Sequence, residues 1–188
     1  MGFLKKMFGG DDNPAPAQGV QASINNRDPD VMIKRLYDVH PGDTISYMSR
    51  RWEITGWLDY DEGGYRWREF HLSGDAEAYA ALSVDPKGNP KAIFWQYNSQ
   101  IAPNPGTPQL DMDGVTYKAN SHGTAQFRAY GQVDAPPNGM IEYYDYHLKD
   151  RAKMIAFQRC NDHSWETYKG ERVELQYISM SQAAQGQG

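Results

Sequence analysis

From Thr44 onward the chain alternates large apolar or aromatic residues with polar ones at a period of two, and this pattern constrains the fold more than any other feature. Ile45 and Tyr47 are flanked by polar residues, and Trp52, Ile54, Leu58 and Tyr60 alternate with Arg51, Glu53, Thr55 and Asp59. A helix cannot place such residues on one face, because its repeat is about 3.6 residues. The turn Asp61-Glu62-Gly63-Gly64 ends this strand and predicts a hairpin partner from Tyr65 to Leu72. Two short strands are expected near Tyr79 to Val84 and Ala92 to Tyr97, separated by Pro86-Lys87-Gly88-Asn89-Pro90. Pro103, Pro105 and Pro108 lack backbone donors and mark a connector rather than a central strand.

Beyond the connector the plan recurs. Strands are expected over Val115 to Ala119, Ala125 to Gln132, Ile141 to Leu148, Met154 to Gln158 and Val173 to Ile178. Turns fall at Asp113-Gly114, Pro136-Pro137-Asn138-Gly139 and Lys169-Gly170. Trp67-Arg-Glu69-Phe-His71-Leu72 matches Tyr143-Tyr-Asp145-Tyr-His147-Leu148 in kind, and each is followed by a small, apolar strand. Pro29 to Leu36, carrying Val31, Met32, Ile33 and Leu36, is the one helix expected before the core. The expected fold is all-β and mainly antiparallel, with two pseudo-repeated small sheets or open barrels sharing a core and one short N-terminal helix. Its divisions are a disordered arm with a short amphipathic start (1–28), a first β repeat (29–109), a second (110–180) and a disordered tail (181–188).

A chain of 188 residues can bury a core large enough to need no metal or disulfide staple. Its single cysteine, Cys160, can form no intramolecular disulfide, which fits a reducing compartment and an expected cytoplasmic location. No apolar run approaches the length of a membrane span, and the start Met-Gly-Phe-Leu-Lys-Lys-Met-Phe lacks the pattern of a secretory signal. Phe3, Leu4, Met7 and Phe8 would share one face of a short helix, so peripheral contact of residues 1–8 with the inner face of the membrane, or with a protein, is an expectation. A net charge of -5, with Lys and Arg scattered along the chain, argues against a nucleic-acid partner.

Several short motifs occur in a shared order: Pro41-Gly42-Asp43 before a strand, Arg51-Trp52-Glu53-Ile54 with Gly56, Tyr60 to Gly64, Trp67 with Glu69 and Leu72, and Leu82-Ser83-Val84. With Asp113-Gly114 and Tyr117, and with Tyr144-Asp145-Tyr146, this resembles the bacterial family known as domain of unknown function 4178, in its two-copy form, over roughly residues 38 to 178. The resemblance implies no activity. It implies an accessory role beside bacterial envelope or membrane-stress proteins. His71 and His147 are not hallmarks of that family.

Residues two apart on a strand share a face, which aligns Trp67, Glu69 and His71 and likewise Tyr143, Asp145 and His147. Were the two strands to meet, Glu69, His71, Asp145 and His147 could hold a divalent metal or perform acid-base chemistry. The plainer reading of the same residues is cross-strand polar pairing. Cys160 lies three residues before His163, but a zinc site would need two further ligands, and a nucleophilic thiol would need a base such as His122 or His147. No phosphate-binding loop, nucleophile elbow or His-Glu-x-x-His motif is present.

Strict alternation cannot turn Trp57, Tyr65, Trp67, Tyr143 and Trp165 all inward; rings left on a surface suit a binding patch, and the equal alternative is that the two β halves bury these rings between them. The sequence thus favours a binding or scaffold module without resident cofactor, its partner a protein contacted through Phe3, Leu4, Met7, Phe8, Trp57, Trp67, Tyr143 and Trp165. The alternative is the enzyme of the paired carboxylate-histidine faces.

Overall fold

The computed structural model describes residues 28–47, 49–74, 80–85 and 91–183. The expected arm, including Phe3, Leu4, Met7 and Phe8, lies outside the described residues. Helix α1 runs over Pro29–Tyr37. Proline at its start loses no useful donor, and the Asp28 side chain accepts a hydrogen bond from the Asp30 amide at 2.9 Å. Met32, Ile33 and Leu36, spaced for one face, are buried.

The strands are β1 (Thr44–Tyr47), β2 (Arg50–Glu62), β3 (Tyr65–Ser73), β4 (Ala80–Asp85), β5 (Lys91–Tyr97), β6 (Gln109–Met112), β7 (Val115–Gly131), β8 (Asn138–His147), β9 (Lys153–Cys160), β10 (Glu166–Val173) and β11 (Ser179–Ser181). They form an antiparallel sheet in the order β11-β1-β2-β3-β4-β5-β10-β9-β8-β7-β6, so the fold is mostly antiparallel β with a short helix. An additional pairing of β2 with β7, from Gly56 opposite Gly131 to Asp61 opposite Gln126, closes the sheet into a ring. The ring consists of two four-stranded meanders, β2–β5 and β7–β10, joined at the β5–β10 and β2–β7 seams.

Three packed clusters follow from this closure. Leu58, Tyr60, Trp67, Trp95, Phe127 and Tyr143 fill the ring interior. Outside the first meander, α1 covers Trp52, Ile54, Phe70, Leu82 and Val84. Outside the second, Tyr146, Ile155 and Phe157 pack with Ile101, Leu110 and Tyr117. A bulge between Ile54 and Gly56 explains how β2 serves two of these clusters. The single alternation read through Trp52, Ile54, Leu58 and Tyr60 is broken there, and Trp52 and Ile54 face α1 while Leu58 and Tyr60 face inward.

The second half departs from expectation in several places. The stretch between Ala119 and Ala125 is not a break: β7 is continuous, because it pairs in turn with β6, β8 and β2. Val173 to Ile178 is not a strand; β10 ends at Val173 and a 3-10 turn follows over Leu175–Tyr177. Lys169-Gly170 is not a turn either, since both residues pair inside β10. Gly170 is bare because the Trp95 indole occupies the space, and an added Cβ would lie 2.3 Å from it. Ser181, expected at the start of the tail, pairs with Thr44. No helix among the described residues is long and apolar enough to cross a membrane.

Candidate functional site

Glu69 and Asp145 sit at corresponding places in the two meanders, each on the second strand and each turned into the ring. Both are buried, at 6% and 2% exposure. Beneath them Trp95 donates through Nε1 to Ser83 Oγ at 3.0 Å, and Ser83 donates to Glu69 Oε2 at 2.8 Å. This chain holds one edge of the Glu69 carboxylate in place. His71 Nε2 stands 3.9 Å from Glu69 Oε1. Burial pushes the His71 imidazole down to about 4, opposed by the charge of Asp134, so it is neutral at pH 7.

Burial drives the Asp145 carboxyl well above the ordinary carboxylate range, and the charges of Glu62 and Glu69 push it the same way. Asp145 Oδ2 is buried without a hydrogen-bond partner. The cavity it borders, with Glu69, Ser83, Tyr143 and Gln158, measures about 30 Å³. A space of that size holds about one or two waters, not a substrate.

Above this cavity the ring opens into a mouth of about 250 Å³. The two spaces share Tyr60, Glu69, Ile141 and Gln158 as walls. His71, Tyr97, Asp134, Arg159, Glu166 and Tyr168 are among the other residues that line the mouth, and Cys160 borders it as well. Tyr168 donates to Glu166 Oε2 at 2.6 Å and meets Tyr97 edge to face at 5.9 Å. Burial first, and Glu166 second, raise the Cys160 thiol, which disfavours a nucleophilic thiolate.

A second concavity of about 870 Å³ lies where the β2–β3 hairpin borders β7 and β8. Asp59, Asp61, Arg66, Arg68, Arg128 and Met140 are among its lining residues. Arg68 grips Asp59 through two hydrogen bonds of 2.7 and 2.9 Å and lies 4.8 Å from the Trp57 ring centre. Arg66 pairs with Asp61 at 2.7 Å. Tyr130, 39% exposed, stacks on Trp57 at 5.6 Å, and Met140 is 46% exposed.

Of the residues singled out in the sequence, Glu69, His71 and Asp145 reach the ring interior or its mouth. His147, at the end of β8, sets Nδ1 2.6 Å from Leu148 O and borders neither space. Among the described residues no three His, Cys, Asp or Glu side chains are grouped to hold a metal ion. Trp67 and Tyr143 are not surface rings: both are buried, meeting at 6.4 Å across the interior. Ring closure supplies the second layer that a lone half-sheet would lack. Trp57 and Trp165 are half-buried, the latter under Arg159 at 4.8 Å. The sequence reading missed Ser83, Trp95 and Gln158 in the cavity and Arg128, Tyr130 and Met140 in the groove. Tyr130 left a legible signal, since it falls on the polar phase of Gln126, Arg128 and Tyr130.

Residues 40–175 match the family described as Domain of unknown function (DUF4178), and the chain belongs to that family. It is also similar to an uncharacterized protein of Mycobacterium bovis and to uncharacterized proteins of two Mycobacterium tuberculosis strains. Each is 25% identical over 139 residues, covering 71% of this chain and 66% of the relative, so the chain spans just under two thirds of their length. No solved structure matches the chain.

Proposed function

We propose that this member of the DUF4178 family is a non-enzymatic binding module that docks a protein segment in the groove beside Arg128, Tyr130 and Met140. The observation that carries this reading is the contrast between a ring interior with a cavity of about 30 Å³ and an open groove of about 870 Å³. Tyr, Met and Arg are the side chains enriched at protein interfaces. The rival reading, an acid-base or metal-dependent enzyme, draws on Glu69, His71, Asp145 and His147. It is disfavoured by the placement of His147, which borders neither the cavity nor the mouth, and by a cavity beside Asp145 too small for a substrate. The two meanders act as pseudo-repeats that build one rigid frame. The partner is a protein of a bacterial envelope or membrane-stress system, a reading that rests on the family resemblance, with residues 1–8 as the tether at the inner membrane face.

The test is an Arg128→Glu, Met140→Glu double variant, compared with wild type by crosslinking and capture from native extract. Both side chains are exposed, so unfolding stability should change by no more than about 0.5 kcal/mol. Partners retained by wild type and lost by the folded variant support the reading. Identical capture by both proteins, or near-stoichiometric bound metal in the purified chain, sinks it.

A further inference from the structure

We infer that the small cavity inside the ring is a binding site for one ammonium ion, held by Asp145 among the rings of Trp67, Trp95 and Tyr143. This site is separate from the groove and does not depend on it.

The first argument is an unsatisfied acceptor. Asp145 is 2% exposed and lies two residues beyond the inward Tyr143 on β8, so the two side chains share a face and both line the cavity. Its Oδ2 has no hydrogen-bond partner among the described residues. A buried carboxylate oxygen in that state is strongly unfavourable, and a guest that donates to it removes the penalty. Protonation removes the charge and still leaves Oδ2 without a partner. The second argument is the direction of the neighbouring donors. Trp95 donates through Nε1 to Ser83 Oγ at 3.0 Å, and Ser83 donates to Glu69 Oε2 at 2.8 Å. The Tyr143 hydroxyl donates to Glu62 Oε2 at 3.0 Å. These three hydrogens all serve other acceptors, so the guest at Asp145 must bring its own donors. The charges of Glu62 and Glu69 also reach Asp145, which favours a guest that is positive.

The third argument is the wall and its size. Trp67 meets Tyr143 edge to face at 6.4 Å and stacks on Tyr60 at 4.8 Å, so rings from both meanders surround the space. Aromatic faces attract cations. A volume of about 30 Å³ suits an ion of the size of water and excludes a bulky amine. A divalent metal requires several oxygen or nitrogen ligands, and no three His, Cys, Asp or Glu side chains among the described residues are grouped to supply them. Ammonium needs only acceptors within hydrogen-bond reach and aromatic faces around it. The cavity shares Tyr60, Glu69, Ile141 and Gln158 with the mouth above it, which gives the ion its way in from solvent.

The full chain is titrated with ammonium chloride and followed by thermal unfolding, with sodium chloride and tetramethylammonium chloride at matched ionic strength as controls. A saturable rise in melting temperature with ammonium alone is the expected result. Isotope-labelled ammonium, followed by nuclear magnetic resonance, should give a bound signal with contacts to tryptophan ring protons. Asp145→Asn keeps the shape of the side chain and removes its charge, and it should weaken ammonium binding about tenfold or more. No saturable effect of ammonium, an equal effect of sodium or of tetramethylammonium, or undiminished affinity in the folded Asp145→Asn protein overturns the inference. Where Asp145→Asn does not fold, the resonance of the wild-type protein decides: no bound ammonium signal, or a signal without tryptophan contacts, overturns it equally.

Discussion

Replacing Gly170 with alanine tests whether the interior polar chain is held by packing from the opposite strand. Gly170 pairs with Trp95 on β5 and Met154 on β9, and an alanine Cβ would fall 2.3, 2.6 and 2.8 Å from three atoms of the Trp95 six-membered ring. Trp95 is 3% exposed, so the indole cannot swing away into solvent. It must tilt, and tilting strains the 3.0 Å bond from its Nε1 to Ser83 Oγ. Overpacking of a filled core costs about 1–3 kcal/mol, and weakening the buried bond adds about 1 kcal/mol. The expected loss is about 2–4 kcal/mol, or roughly 4–16 °C in melting temperature for a domain of this size. Urea unfolding followed by circular dichroism gives the loss, and near-ultraviolet dichroism reports the indole environment. The double-mutant cycle with Trp95→Leu, which deletes the clashing ring, should show a coupling of about 1 kcal/mol or more, the alanine costing less once the ring is gone. A Gly170→Ala protein within about 0.5 kcal/mol of wild type, or additive losses in the cycle, would refute the argument.

Two further substitutions probe the buried imidazole and the ring closure. His71 has a folded-state value near 4 against an ordinary 6.5, so the native state binds fewer protons than the unfolded chain between those limits. Its contribution is fully present above pH 6.5 and is lost as pH falls toward 4, amounting to about 3 kcal/mol. Urea unfolding at pH 7 and pH 4 should therefore show a smaller acid loss in His71→Gln than in wild type; equal losses would remove the basis for a neutral buried His71. At the β2–β7 seam, a Cβ on Gly56 would lie 2.2 Å from Tyr130 O and 3.0 Å from Gln132 N, next to the 2.8 Å bond from Gln132 N to Thr55 O. Gly56→Ala should destabilise by about 3 kcal/mol or more and abolish amide-exchange protection first along residues 126–131, whereas uniform loss across all strands would show that the seam is not the weak point.

Much of the local structure could be read from the chain. Asp28-Pro29-Asp30 with Met32, Ile33 and Leu36 gives a capped amphipathic helix, and Glu62-Gly63-Gly64-Tyr65 and Asp113-Gly114 give tight hairpin turns with positive φ at the glycines. Period-two runs between such turns locate β2, β3, β5, β8 and β9 because local sterics and turn chemistry act over only a few residues. Those runs also put Glu69 and His71 on one face of their strand.

What alternation gives is relative phase, and phase alone does not say which face is inside. In the first meander both faces are covered, one by α1 and one by the opposite wall of the ring, so β4 is buried throughout and carries no phase signal. The bulge before Gly56, the β5–β10 and β2–β7 seams and the register that sets Asp145 opposite Ser121 depend on residues far apart in sequence. Gly170 looks like a turn residue until Trp95 is placed over it, and Trp67 and Tyr143 look like surface rings until the ring closes around them. The sequence by itself determined most of the strands and hairpin turns and set Glu69 and Asp145 each in an alternating strand run. Closure alone decided that Glu69 and Asp145 share a cavity while His147 stays outside it, because burial is a property of two packed surfaces and neither surface is written in the other's sequence.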